Sequence, residues 1–375
     1  EGNTRRSSAI LYRSNAQSRV IEEALIRVGL PYRIYGGQRF YERLEIRNAL
    51  AYLRLMIGRG DDPALERVIN TPTRGIGSKT IDELRAVARE HGISMWQAIG
   101  LVQERGLLAA RARSSLAGFA ALINELDSET LELPLEEMVE HIIHRTGLID
   151  FHKAEKGERG QARVENLEEL VSAAKTFRAE DDTLSPLQQF LDSAALDAGD
   201  SQADPYEDSV QMMTLHSAKG LEFPLVILAG LEENLFPHRM SVEEPGRLEE
   251  ERRLAYVGIT RAQQRLLITY AESRRLHGSE TYNTPSRFVR EIPADLIEEV
   301  RLHGGLTRPL VDRLQQPVAN SNDSGLRLGQ HVLHPMFGEG MVLNIEGRGA
   351  NARIEVNFAE GSKWLVLQYA NLQAL

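Results

Sequence analysis

Arg261 stands at the join between a charged, helix-patterned segment (RLEEERRLAYVGIT) and an apolar, strand-like run at 265–271. A guanidinium fixed there could reach across a cleft to a γ-phosphate, a contact that can be worth roughly 10³–10⁵ in the rate of phosphoryl transfer. The plain alternative is a surface cation favoured at a helix C-terminus, and spacing alone does not choose between them. Upstream, His216-Ser217-Ala218-Lys219-Gly220 directly follows the apolar run at 210–215. Imidazole, hydroxyl, ammonium and glycine at the end of a strand suit an anionic ligand, because open α/β sheets bind ligands at their carboxyl edge. A lone histidine is more often structural, so the setting rather than the residue carries this reading. His238 follows Phe236-Pro237, twenty-two residues on. His141 and His144 share a helix face without a ligand set that suggests a metal.

A third cluster, Arg74-Gly75-Ile76-Gly77-Ser78-Lys79-Thr80, imitates a phosphate loop. The P-loop pattern G-x-x-x-x-G-K-[ST] needs glycine immediately before the lysine, where this chain has Ser78, and no strand precedes it. A helix-hairpin-helix type turn fits better. Its glycines allow close backbone approach to a phosphate, and N–H groups of the next helix would bind it. Lys79 and Thr80 could add side-chain contacts, and a face carrying Arg43 and Arg47 could extend them. The competing reading is a tight interhelical turn flanked by solvated arginines.

These residues need elements to hold them. Ser8–Tyr12 reads as a strand, 18–28 as a helix stopped by Gly29, and 30–35 as a second strand, a unit that implies a parallel sheet. From 38 to 201 the periodicity is almost wholly helical. One stripe runs through Ile46, Leu50, Leu53 and Ile57, with further helices at 95–104, 109–125, 135–145 and 164–178. The acidic stretch at 197–208 reads as exposed turns. The α/β pattern resumes at 210 and continues to about 299. Residues 304–324 have linker chemistry, and the last fifty alternate short strands with glycine-rich turns, as a small β-barrel does.

Composition narrows the class. With 375 residues there is room for two or three domains. A net charge of −10 means that any nucleic acid must be met by local basic patches. The absence of cysteine excludes disulfides and thiolate metal sites and suits a reducing compartment. No apolar run approaches a membrane span, and the leading Glu1 suggests a piece of a longer protein.

The strings TLHSAKGLEFP, FPH and EEERRLAYVGITRA closely resemble the fifth and sixth motifs of the UvrD/PcrA/Rep family of superfamily 1 DNA helicases. LYRSNAQSRVIEEAL, PYRIYGGQRFYERLEIRNALAYLRL and NTPTRGIG resemble the same family in the same order. The resemblance implies an α/β, RecA-like second motor domain of the P-loop NTPase type (1–35 and 208–303) with a large inserted helical domain contacting duplex DNA (36–207). A linker (304–325) and a Tudor-like β-barrel (326–375) would follow. It implies Arg261 as the catalytic γ-phosphate sensor, with Glu222 and Gly220 at the nucleotide. Arg13, Asn15, Thr214, His216 and His238 would hold single-stranded DNA. Arg47, Gly75, Ile76, Gly77, Lys79 and Thr80 would meet the duplex.

ATP with Mg²⁺ is the implied cofactor, its metal ligands expected in an amino-terminal RecA-like domain of the same protein. That domain's phosphate loop and acidic pair are not in this sequence, so the chain alone is expected to hydrolyse no ATP. The implied activity is 3′→5′ unwinding in DNA repair, in a cytoplasmic, nucleoid-associated bacterial protein without a membrane partner. RNA polymerase or a repair protein could dock on the tail, where Phe337, Phe358, Trp364 and Tyr369 are alternatively core-filling. A non-catalytic DNA- and protein-binding module is the competing reading.

Overall fold

A computed structural model describes residues 4–374 except 156, 200–202, 204, 205, 245, 272, 277, 278, 299, 301–330, 336, 347–352, 359, 360, 367–369 and 371. Two compact units divide the chain, Glu1–Glu298 and Glu299–Leu375.

In the larger unit, β1 (Ser8–Tyr12), β2 (Tyr32–Ile34), β3 (Val210–Thr214), β4 (Phe223–Leu228) and β5 (Ala262–Ile268) form one sheet. Their order is β2-β3-β1-β4-β5, and every pair is parallel. Successive side chains leave a strand on opposite faces, and both faces here are apolar. Ile10, Tyr12 and Met212 pack with Leu25 of α1 (Ser18–Arg27) on one side. Ala9, Leu11, Met213, Val226 and Leu228 pack with Leu254 and Ala255 on the other. That explains why these strands read as continuous apolar runs. Gly29 ends α1 as expected: its φ is +64°, and Leu30 N–H bonds back to the Leu25 carbonyl.

Between β2 and β3 the chain leaves the sheet as α2 (Leu44–Ile57), α3 (Asp62–Val68), α4 (Ser78–His91), α5 (Met95–Arg105), α6 (Ala110–Thr130), α7 (Leu135–Arg145), α8 (Leu148–Lys153), α9 (Glu158–Thr176) and α10 (Pro186–Gly199). These helices bury one apolar core of their own, from Phe40 to Ala194. The stripe read from sequence is buried at Ile46, Leu50 and Leu53, but Ile57 is exposed at the helix end. The pattern missed α3, α8 and α10. Short helices give too few turns for periodicity to register, and α10 carries through Asp197 into a stretch read as turns. After β4 come α11 (Arg239–Glu243) and α12 (Arg247–Ile259), then a two-stranded hairpin of β6 (Ser273–Leu276) and β7 (Ser279–Tyr282), and α13 (Arg287–Arg290).

Polar bonds join the helices to the sheet. Arg43, expected to share with Arg47 a face that could extend the phosphate contacts, is instead 7 % exposed. Its guanidinium donates to the Asn15 carbonyl at 2.9 Å, Asn166 Oδ1 at 2.8 Å and Ser18 Oγ at 2.6 Å. Arg19 of α1 pairs with Glu169 of α9 at 2.7 Å, and Ser14 donates to Glu165 of α9 at 2.5 Å. No apolar cluster among the described residues spans both parts.

The smaller unit is an antiparallel five-stranded sheet of β8 (His331–His334), β9 (Gly338–Glu346), β10 (Arg353–Phe358), β11 (Gly361–Val366) and β12 (Gln373–Ala374), ordered β11-β10-β9-β8-β12. Val332, Val342, Ile354, Val356 and Phe358 fill its core, with Phe337 at the margin. Trp364 is exposed. Tyr369 and the expected linker at 304–325 lie outside the described residues.

Candidate nucleic-acid and nucleotide sites

Because every strand of the large sheet is parallel, its carboxyl ends share one edge and its amino ends the other. The expected site residues divide between these edges. The carboxyl edge carries Arg13, Ser14 and Asn15 after β1, His216 after β3, and His238 after β4. Together with α8, α9 and α11 they line a cleft of about 570 Å³.

The cleft is closely bonded. Arg13 makes a two-pronged pair with Glu251 of α12, Nε at 2.9 and 3.0 Å and Nη2 at 2.6 Å. Glu251 also accepts from the His238 backbone N–H and from Ser241 Oγ. Burial alone would raise the Glu251 carboxyl, but Arg13, the His238 N–H and Ser241 together outweigh it and hold the group below its ordinary range. His238 Nε2 lies 3.3 Å from Glu165, across the junction with the helices. Glu165 is likewise held low against the effect of burial by bonds from His238 and Ser14. Thr214 Oγ1 sits 3.0 Å from Ser217 Oγ and accepts the Ser217 N–H, closing the turn that presents His216 to solvent. Of the expected strand-binding residues, then, Arg13 and His238 are already engaged with carboxylates, whereas His216 is open.

Arg261, Glu222 and Gly220 gather at the opposite edge, before β5 and β4. The Arg261 guanidinium donates to the Val257 carbonyl (3.0 Å), the Leu221 carbonyl (2.9 Å) and Thr260 Oγ1 (3.0 Å). All three acceptors are neutral, so its charge is oriented but not cancelled. Glu222 is exposed beside Gln263 Nε2 at 3.4 Å. Gly220 has φ +87°, a conformation that side chains rarely adopt. These residues could take a phosphate and a ribose hydroxyl. Among the described residues no group of three His, Cys, Asp or Glu is arranged to hold a metal ion.

One short segment, 215–222, joins the two edges, from His216 at one to Glu222 at the other. It is coiled by bonds from Ala218 N–H to the Thr214 carbonyl and from Leu221 N–H to the Ala218 carbonyl. Helix α12 lies against it at Gly258, where a Cβ would stand 2.5 Å from Leu215 Cδ2 and 3.1 Å from Leu228 Cδ2. The helix that ends just before Arg261 thus packs, through a glycine, directly on the Leu215 side chain beside His216.

The expected duplex-binding turn is separate from both edges. Gly77 caps α4, and Gly75 has φ +75°. Asn70 Oδ1 organises the turn by accepting the N–H groups of Arg74 (2.7 Å) and Ile76 (3.2 Å). Ile76, expected at the duplex contact, is fully buried, and its N–H is used within the turn. Gly75, Gly77 and Lys79 are exposed, Thr80 is half-buried, and Lys79 lies 3.9 Å from Glu83. Arg47 is exposed on α2. His141, read as a surface residue, pairs with Glu129 at 2.7 Å, and Arg145 shares that carboxylate. No helix among the described residues is long and apolar enough to cross a membrane.

Sequence reading missed Lys153, Arg159, Glu165 and Arg247 in the cleft, and Glu251 behind it. Arg13 and Glu251 are 238 positions apart, and nothing in EEERR marks which glutamate faces inward. The family model for the UvrD-like helicase C-terminal domain matches residues 1–273. The chain is 54 % identical to DNA helicase II of Escherichia coli over 370 residues, covering 98 % of this chain and 51 % of that protein. It is 53 % identical to DNA helicase II of Haemophilus influenzae, covering 97 % of this chain and 51 % of that protein. It is 40 % identical to the ATP-dependent DNA helicase PcrA of Bacillus subtilis, covering 97 % and 52 %. The chain spans about half the length of the curated relatives it matches.

Proposed function

Since the chain belongs to the UvrD-like helicase C-terminal domain family, we propose that it forms the carboxy-terminal half of an ATP-dependent 3′→5′ DNA helicase of DNA repair. The observation that carries this reading is the division of the site residues between opposite edges of one parallel sheet, bridged by 215–222. In this reading the sheet is the second RecA-like domain, the helices α2–α10 are its duplex-contacting insertion, and the smaller unit is a Tudor-like tail that docks a partner. The carboxyl edge holds single-stranded DNA through Asn15, Thr214, His216 and His238. The amino edge serves ATP with Mg²⁺, which supplies phosphoryl transfer to water when bound. There Arg261 holds the γ-phosphate, already oriented by three neutral acceptors, and Glu222 meets the ribose. Preorganised charge of this kind needs no rearrangement as the reaction proceeds.

Phosphate loop and metal ligands come from an amino-terminal RecA-like domain of the same protein, so the chain alone turns over no ATP. Measuring DNA-stimulated ATPase of the purified chain, alone and as part of the full-length protein, tests this directly. Turnover by the isolated chain would overturn the assignment of the nucleotide site to two domains.

A further inference from the structure

The α8–α9 corner of the helical insertion forms one wall of the carboxyl-edge cleft, through Lys153, Glu155, Gly157, Arg159, Gln161 and Glu165. A Cβ on Gly160 would stand 2.5 Å from the His152 carbonyl oxygen and 2.7 Å from that of Glu155, so the two helices meet backbone against backbone. Below the corner, Glu155 is bonded to buried His152 at 2.6 Å and to Arg163 at 2.5 Å. Lys153 at the end of α8 and Arg159 in the first turn of α9 flank this contact, both exposed.

Charge accounting across the cleft singles these two out. Of the three lining carboxylates, Glu155 is paired with Arg163 and Glu244 with Arg247 at 2.6 Å, while Glu165 is hydrogen-bonded by His238 and Ser14. Arg13 is answered by Glu251. Lys153 and Arg159 have no ion-pair partner among the described residues. Facing them on the sheet edge are His216 and His238, groups that can bond to a nucleic-acid strand without adding negative charge. Two cations without an ion-pair partner, opposite imidazole and hydroxyl groups that bring no negative charge, fit a chain of phosphodiesters running between them.

We infer that Lys153 and Arg159 hold backbone phosphates of single-stranded nucleic acid, making the helical insertion a second wall of the strand site as well as a duplex contact. This rests on the reading of the carboxyl edge as the strand-binding edge. Neutralising two phosphates of a single strand contributes about 1.4 to the slope of log K against log salt, or about 25-fold in affinity at 0.1 M salt.

The test is fluorescence anisotropy of labelled oligo(dT) with the full-length protein across a salt series. Lys153→Ala with Arg159→Ala should weaken binding about 25-fold at 0.1 M salt and flatten the slope by about 1.4. Lys153→Arg with Arg159→Lys should restore both, and thermal unfolding of all variants should match the parent. Unchanged affinity and slope in the double alanine variant overturn the inference. If His216→Ala weakens binding while the double variant does not, the strand-binding edge stands and the corner falls. If the intact protein binds no oligo(dT) at all, both fall. Equal losses on oligo(dT) and blunt duplex also overturn it, because the corner would then be a general duplex contact.

Discussion

The two edges of the large sheet hold their arginines in opposite ways. At the carboxyl edge Arg13 is locked to Glu251 in a buried two-pronged pair, while at the amino edge Arg261 rests on carbonyls and a hydroxyl. An anion approaching Arg13 must compete with a carboxylate, and breaking a buried pair typically costs 3–5 kcal/mol. One approaching Arg261 meets a full positive charge already aimed. Arg13 thus braces its neighbours, and in the proposed reading contact with single-stranded DNA at that edge falls to residues outside this arginine–glutamate pair. The sequence ranks both simply as arginines beside strands, and only the partner tells them apart.

The largest effect expected from this contrast is at Arg261. In the full-length protein, Arg261→Ala should lower DNA-stimulated ATP turnover about 10³-fold or more while leaving oligo(dT) affinity nearly unchanged. Turnover that survives would remove the phosphate role from the amino edge. Next is the contact that ties the edges together. Gly258→Ala places a methyl group against Leu215 and Leu228, and overpacking of that kind costs about 1–3 kcal/mol. Denaturant unfolding should show the loss, and adding Leu215→Ala should return part of it. A purely additive double variant would mean that the two residues do not press on each other.

A smaller effect belongs to the turn away from both edges. Bulky residues at Gly75 and Gly77 should weaken binding to a duplex junction about tenfold, the loss of one charge-assisted bond of ~1.5 kcal/mol, with little change on single strands. Equal loss on both would erase the distinction between turn and cleft. The smallest effect is confined to acid. Glu165 and Glu251 titrate below their ordinary value near 4.5 when folded, so the unfolded chain binds more protons in that range. Their stabilisation is present above about pH 5 and is lost as pH falls through the depressed folded values. Unfolding free energy measured from pH 7 to pH 3 should decline on that limb, and Glu165→Gln should flatten it.

Much of this was legible in the sequence, and what was not follows a pattern. Strand β1 and helix α7 were read at their observed bounds, because continuous apolar runs and a clear 3.6-residue period survive without knowledge of neighbours. Strand β5 begins three residues earlier than expected. At a sheet edge Gln263, Gln264 and Arg265 stay exposed, so their polarity hid the strand. Arg43 was misplaced for the converse reason. A charge on a helix reads as solvated, and its burial depends on Asn15, Ser18 and Asn166 arriving from elsewhere in the chain. The turn at Gly75 was read correctly as a turn. Periodicity could not reveal that Ile76 points inward, since one residue between two glycines has no period.

The bonds around Arg43 have a mechanical meaning as well. Apolar surfaces attract without regard to direction, so a joint held by them can slide with little change in energy. Among the described residues the apolar cores of helices and sheet stay separate, and the junction carries guanidinium, amide and hydroxyl groups whose bonds weaken steeply off axis. Such a joint indexes rather than slides: it defines an angle, and leaving that angle means giving up several bonds together.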